Sequence, residues 1–172
     1  VAVCLSFLRH VGIDWSAHPN DEAARGEYEG IWSRLGNQTI EQIIDLPPME
    51  DAVALATLHA LTMLFSPALH TDANLACLTI CKAINLSLEH GNSDASSVAY
   101  ANLSLVTGQR FGNYQVGFRF GQLGCQLVER RNLTRYEART YLSFALFVAR
   151  WAQPVRSCRG LLDQAFDAAN RI

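Results

Sequence analysis

Lysine is almost missing from this chain: of its 14 basic residues, only Lys82 is a lysine. That scarcity excludes a Walker A phosphate loop, which needs Gly-x-x-x-x-Gly-Lys-Ser/Thr so that the lysine reaches the terminal phosphates. Lys82 instead follows Cys81 in the middle of a helix-patterned stretch. Proline and glycine are sparse, at 5 and 11 of 172 residues, which leaves little room for long loops or low-complexity linkers. Charged residues make up 17% and apolar ones 49%, so the composition is neither disordered nor supercharged. No apolar run approaches the roughly 18 residues of a membrane span. The longest, Phe144 to Ala149, lies between Arg139 and Arg150, and no membrane span is expected. The first ten residues do not follow the order of a secretory signal, and a cytoplasmic location is expected.

The cysteines, Cys4, Cys77, Cys81, Cys125 and Cys158, are odd in number and irregular in spacing, against a disulfide framework. Cys77 and Cys81 share a helical face, yet no histidine or cysteine pair at ligand spacing completes a metal site. Buried thiols are expected, with no metal and no cofactor. A His-Glu-x-x-His helix and a Gly-x-Ser-x-Gly elbow are also missing, so no catalytic residue is assigned and the chain is not expected to be an enzyme. Asn-x-Ser/Thr triplets at Asn37, Asn85, Asn102 and Asn132 are chance matches in a chain read as cytoplasmic.

What is present is helical periodicity. Length predicts one domain, residues 1–172, and both ends read as cut from a longer chain. Residues 1–49 predict shorter, irregular helices: one to about His10, and one from Asp21 to Leu35, capped by Asn20 and ended by Gly36. A short third helix, Ile40 to Leu46, opens with a Thr39/Gln42 capping box and stops at Pro47-Pro48. Residues 50–172 predict long helix pairs. Glu50 to Phe65 places Val53, Leu55, Leu58, Leu61 and Leu64 at helical spacing, and Ser66-Pro67 breaks it. Thr71 or Asp72 caps a helix to His90, with Leu75, Leu78, Ile84 and Leu88 inward, and Gly91 stops it. Ser93 or Asp94 caps the next, to Arg110, and Phe111-Gly112-Asn113 turns the chain into Tyr114–Arg131. A Thr134/Glu137 capping box opens a helix to about Ala152, Pro154 ends it, and a last helix follows from Val155.

The net charge of −2 hides a split. Residues 1–94 hold 12 acidic and 4 basic residues, and residues 95–172 hold 4 and 10. The sign change near Asp94 falls between two helices of the same stack and is not read as a domain boundary. Arg110, Arg119, Arg130, Arg131, Arg135, Arg139, Arg150, Arg156 and Arg159 are expected to pair with acids on neighbouring helices or on an adjoining segment. The overall charge speaks against a nucleic-acid partner. His10 and His90 fall near helix C-termini, where a cation is favoured, and His59 reads as a satisfied core histidine. His70 has Asp72 nearby but no nucleophile.

Antiparallel helix pairs at a period of about 40 residues are the mark of an α-solenoid. Ala99-Tyr100, Phe111-Gly112-Asn113-Tyr114 and then Gly117, Gly121 and Gly124 resemble a tetratricopeptide unit, with its Gly-(Asp/Asn)-Tyr turn and recurring small residues, although Ser104 and Leu105 stand where that repeat usually has Leu-Gly. Each mid-helix glycine costs about 1 kcal/mol against alanine. Three on one face predict close packing against another helix, with a ligand across that face as the alternative. The fold expected is all-α, a tetratricopeptide-like superhelix of antiparallel pairs.

Longer phrases carry a second resemblance: Phe7-Leu8-Arg9-His10-Val11-Gly12-Ile13-Asp14-Trp15-Ser16, Glu27–Trp32, Ile43–Met49, Ile84-Asn85-Leu86-Ser87-Leu88-Glu89-His90-Gly91-Asn92-Ser93, and Phe111–Gly121. Together they resemble the helical segment after the ATPase domain in very large bacterial predicted-ATPase multi-sensor proteins. Many of these join a serine/threonine-kinase-like domain, an AAA-type ATPase, this helical region, a GAF sensor and a histidine kinase. The resemblance implies a regulatory scaffold that binds a protein segment or a flanking domain, with no catalytic residues to carry over. Arg110, Tyr114, Phe118, Arg119, Arg130, Arg131 and Arg135 are the expected interaction surface. A small-molecule pocket lined by the glycine face with Tyr114, Phe118 and Tyr141 is the alternative.

Overall fold

The structure is a computed structural model that describes residues 1–149 and 155–171. It is all-α. The helices are α1 (Ala2–His10), α2 (Asp21–Leu35), a 3-10 helix (Ile40–Asp45), α3 (Ala52–Thr71), α4 (Ala73–His90), α5 (Asp94–Phe111), α6 (Tyr114–Arg131), α7 (Glu137–Phe144) with a π-turn (Ala145–Ala149), and α8 (Val155–Ala169). Among the described residues the one strand-like pairing is an isolated bridge between Pro48 and Asn92. The predicted helix end at Ala152 and its stop at Pro154 lie outside the described residues, as do Arg150 and the side chain of Arg156.

The chain gathers into two compact units, Val1–Gln38 with Leu46–Ser93, and Thr39–Asp45 with Asp94–Ile172. The second unit's main part begins where the charge changes sign. The first unit carries 9 acidic and 4 basic residues, the second 7 and 10.

In the first unit, most helix ends are set by side chains visible in the sequence. Asn20 Oδ1 accepts the Ala23 N–H at 2.8 Å, and Gly36 closes α2 at φ 57°. Asp51 accepts the N–H groups of Val53 and Ala54, and Asp72 that of Leu75 at 2.9 Å, so Asp72 rather than Thr71 caps α4. Helices α2 and α4 lie side by side in the same direction. Ala24 meets Cys77, Glu27 meets Asn85, and Arg34 meets Glu89. The Asn85 amide donates to both the Glu27 carbonyl at 2.9 Å and its carboxylate at 2.7 Å. At the end of α4 the chain turns back on the prolines. Asn92 N–H donates to the Pro47 carbonyl at 2.8 Å, and Met49 N–H to the Asn92 carbonyl at 2.9 Å.

Helix α3 departs from the sequence reading in three ways. It runs through Pro67 to Thr71 instead of breaking at Ser66-Pro67. Proline deletes one backbone bond, to the carbonyl four residues earlier. That carbonyl belongs to Met63, on the exposed side, where water can satisfy it. The flanking Leu64, Phe65 and Ala68, at most 7% exposed, hold the helix in the core. Of the five apolar residues read at helical spacing, Leu58, Leu61 and Leu64 are buried, but Val53 and Leu55 face outward at 59% and 37% exposure. His59, expected in the core, is exposed on that outer side. By length and composition alone α3 would also suffice to span a membrane, with mean hydropathy 1.7, and one side of it is buried in the core of the first unit. Thr, His, Ser and Pro interrupt its apolar runs without adding an Asp, Glu, Lys or Arg, so it holds no long unbroken apolar run.

The second unit is built on α5 and α6. Positions 104 and 107 of α5 meet Gly117 of α6, and positions 97 and 101 meet Gly124, so the pair is antiparallel. Their turn has Gly112 at φ 67°, and Asn113 Oδ1 accepts the Val116 N–H at 3.2 Å. A core of Cys125, Val128, Tyr141, Phe144 and Ala165 joins α6, α7 and α8. The Ser97 and Thr140 hydroxyls, 3.0 Å apart, link α5 to α7. Two predicted capping boxes change form. Gln42 Oε1 does accept the Thr39 N–H at 2.8 Å, but it opens a 3-10 helix. Glu137 is the first residue of α7, and its carboxylate is engaged at 3.1 Å by Arg171 instead of reaching back to a cap.

Candidate interaction surface

The arginines of α6 are placed by helix geometry. Arg119 and Arg130 are eleven residues apart, which is close to three turns, so they share a face about 16 Å apart along the axis. Across from them lies the 3-10 helix, whose Ile40 and Ile43 are 2% and 0% exposed. With those isoleucines inward, Glu41 and Asp45 turn toward α6. Arg119 grips Glu41 through two parallel bonds of 2.7 Å each, and Arg130 meets Asp45 at 2.7 Å. This two-pronged fit is what a planar guanidinium offers and an ammonium does not.

The Arg119 guanidinium holds the Glu41 carboxyl down to about 2. A carboxyl lowered in the folded state stabilises above its unfolded value and loses that contribution as pH falls through the folded one. The Arg119–Glu41 contribution should therefore be complete above about pH 4.5 and fade toward pH 2. Both side chains are more than a third exposed, at 38% and 58%, so solvent screens the pair. Arg119→Gln should cost at most about 1 kcal/mol. Its melting curve should converge with the parent's as pH drops from 5 toward 2; an unchanged gap at acid pH would contradict this assignment.

The other expected surface residues are dispersed. Arg110 lies 6.0 Å over the Phe111 ring and Arg135 5.4 Å over Tyr136. The Tyr114 ring lies against Gly108, yet the residue is 52% exposed. Phe118 packs on Phe144 at 5.6 Å and belongs with the core cluster. Arg131 sits half-buried at the end of α6. Glu41 and Asp45, which complete the arginine face, were not singled out from the sequence. Their only local signal is an acid pair four apart around inward isoleucines.

The glycine face is taken by protein. A Cβ at Gly117 would meet Thr107 Oγ1 at 2.5 Å and Ser104 Cα at 2.9 Å, and one at Gly124 would meet the Ser97 carbonyl oxygen at 2.5 Å. Close helix packing therefore occupies the surface on which a ligand pocket was considered, and Tyr141 is buried beside it at 4% exposure. In the first unit a hollow of about 550 Å³ lies between α1 and the following loop, lined by Leu5, Arg9 and Trp15 among others. Arg9 there is paired with Asp14 at 2.9 Å.

No three His, Cys, Asp or Glu residues among those described come together as a metal site. Cys77, Cys81, Cys125 and Cys158 are buried and Cys4 is half-buried. Burial, with Glu129 nearby, pushes the Cys125 thiol up to about 12, far from the thiolate needed for reactivity. Native labelling with a maleimide should modify Cys4 first and the other four only on unfolding. Rapid labelling of Cys125 would contradict the packing of α6 against α7.

Comparison with protein-family models, with curated proteins and with solved structures finds no match.

Proposed function

We propose that the chain is a non-catalytic regulatory scaffold, a tetratricopeptide-like stack that binds a protein segment or neighbouring domain within a bacterial signalling ATPase/histidine kinase. The observation that carries this reading is the way the arginine face of α6 holds Glu41 and Asp45. That face already recognises a short helical segment with carboxylates four residues apart. Stacked helix pairs form surfaces of this kind, and arginine clusters read acidic motifs on peptides. The α5–α6 hairpin, with its Gly112-Asn113-Tyr114 turn and glycine contacts, supports the tetratricopeptide comparison. The parent class and the cytoplasmic setting rest on the resemblance of the quoted phrases to multi-sensor proteins. No nucleic acid, metal or cofactor is part of the proposal.

The test is a pull-down of the candidate flanking domains on the purified chain, at low and moderate salt. Binding is expected to weaken as salt rises, because the contacts are largely ionic. No binding at either salt would overturn the proposal.

A further inference from the structure

The loop between α1 and α2 holds one large aromatic, Trp15, among turn residues. It is tied down at both ends. The N–H groups of Val11 and Ile13 donate to the Leu8 carbonyl at 3.1 and 2.9 Å, and Arg9 Nε donates to Asp14 Oδ1 at 2.9 Å. Farther along, the His18 N–H donates to Ser16 Oγ at 3.1 Å, and His18 Nδ1 lies 3.0 Å from Asp72 Oδ2. The Asn74 amide donates to the Pro19 carbonyl at 2.9 Å. Trp15 is thereby held half-buried beside the hollow of the first unit.

The opposite wall is one face of α1. Val1, Leu5 and Arg9 recur there at spacings of four, with Ser6 next to them. Leu5, 8% exposed, is the most buried of them. No acidic side chain lines the hollow, and Arg9 is its one basic side chain. That sign is the reverse of the unit around it, which holds 9 acidic and 4 basic residues. Asp14 engages Arg9 at Nε, and the two terminal nitrogens of the guanidinium have no protein partner among the described residues.

We infer that this hollow binds a small aromatic carboxylate, with its ring against Trp15 and Leu5 and its carboxylate on the terminal nitrogens of Arg9. Small-molecule sites enclose roughly 300–1,000 Å³, are mostly apolar, and carry a few polar groups that orient the ligand. A hollow of about 550 Å³ with an indole, two aliphatic side chains, one guanidinium and the hydroxyls of Ser6 and Ser16 meets each condition. The indole gives an aromatic ring a flat face to stack on. A guanidinium pairs with a carboxylate through parallel bonds, as Arg119 does with Glu41 elsewhere in this chain. Phosphate fits less well. It would bring a second negative charge close to Asp14, with a single cation to meet them all. A neutral aromatic could use Trp15 but would gain nothing from Arg9, so the dependence on ligand charge is decisive.

An NMR titration of the isotope-labelled chain with naphthalene-2-carboxylate tests the site through the indole N–H resonance of Trp15. Trp15→Phe identifies that resonance among those of the three tryptophans. For a ligand of this size the dissociation constant should be about 1 mM or below. Arg9→Gln, at an exposed helix position, should weaken the carboxylate about tenfold, the loss of one charge-assisted pair, and leave naphthalene-2-carboxamide unchanged. Ser6→Phe, also at an exposed position, fills the hollow from its rim. With helix content unchanged by circular dichroism, it should abolish the binding of both ligands. An indole resonance that stays in place at about 10 mM carboxylate overturns the proposal. So does equal affinity for carboxylate and carboxamide, carboxylate binding indifferent to Arg9→Gln, or binding that survives Ser6→Phe. Displacement of the carboxylate by an equal concentration of inorganic phosphate would overturn the assigned ligand class. None of these readouts depends on the binding of flanking domains.

Discussion

Gly91→Ala should be among the most damaging single-methyl changes in the first unit, costing about 3 kcal/mol. Two independent effects add. Gly91 sits at φ 98°, a backbone region that side chains rarely adopt. A Cβ built there would lie 2.3 Å from the Pro47 carbonyl oxygen and 3.2 Å from the Pro48 carbonyl carbon, both backbone atoms. Neither can swing aside as a side chain would. That same Pro47 carbonyl accepts the Asn92 N–H, so relieving the clash also strains the pairing that fastens residues 47–49 to the end of α4. For a chain of this length the loss corresponds to a fall in melting temperature of roughly 6–12 °C. A melting temperature within a degree of the parent's would show that the turn is looser than described.

Gly124→Ala should destabilise the second unit by about 2 kcal/mol, against the usual trend for a helix interior. Alanine in place of glycine normally gains about 1 kcal/mol of helix propensity. Here the new methyl would fall 2.5 Å from the Ser97 carbonyl oxygen and 3.2 Å from the Ala101 amide nitrogen. The two helix axes must then separate, and packed interiors resist such overpacking at about 1–3 kcal/mol or more. Gly26→Ala supplies the contrast. Gly26 also lies inside a helix, but nothing lies within 4 Å of its would-be Cβ. That variant should be more stable than the parent by about 0.5–1 kcal/mol. Opposite signs for the two substitutions, measured by urea unfolding, are the expected result. Stabilisation by both would mean that propensity, not contact, governs these positions.

Local signals survive folding well, and non-local ones do not announce themselves. Asn20, Gly36, Asp72, Gly91 and Asn113 act within a few residues of themselves, so their roles at helix ends are legible in sequence. Pro67 misleads because its effect on a helix depends on what the rest of the turn is packed against. The Thr134/Glu137 box misleads because Glu137 has a partner 34 residues downstream. The arginine face was legible as a composition and as an expectation of pairing with acids. Its partners were not, since Glu41 and Arg119 are 78 residues apart and nothing near either one names the other. The outer face of α3 escaped for a different reason. Val53 and Leu55 share the helical spacing of the buried leucines, and only burial shows which of these residues meet the core.

The placement of Thr39–Asp45 also limits how this protein can be divided. The segment counts with the second unit, while the residues on both sides of it count with the first. A fragment expressed from Asp94 onward would therefore lack Ile40 and Ile43 from its interior and both acids from its arginine face. Such a piece should be sticky and poorly soluble, and a synthetic peptide spanning residues 39–45 would be the natural additive to restore it. Ribosomal synthesis meets the same constraint in time. The segment emerges long before the helices that receive it, so the second unit cannot be completed until α5 to α8 have been made.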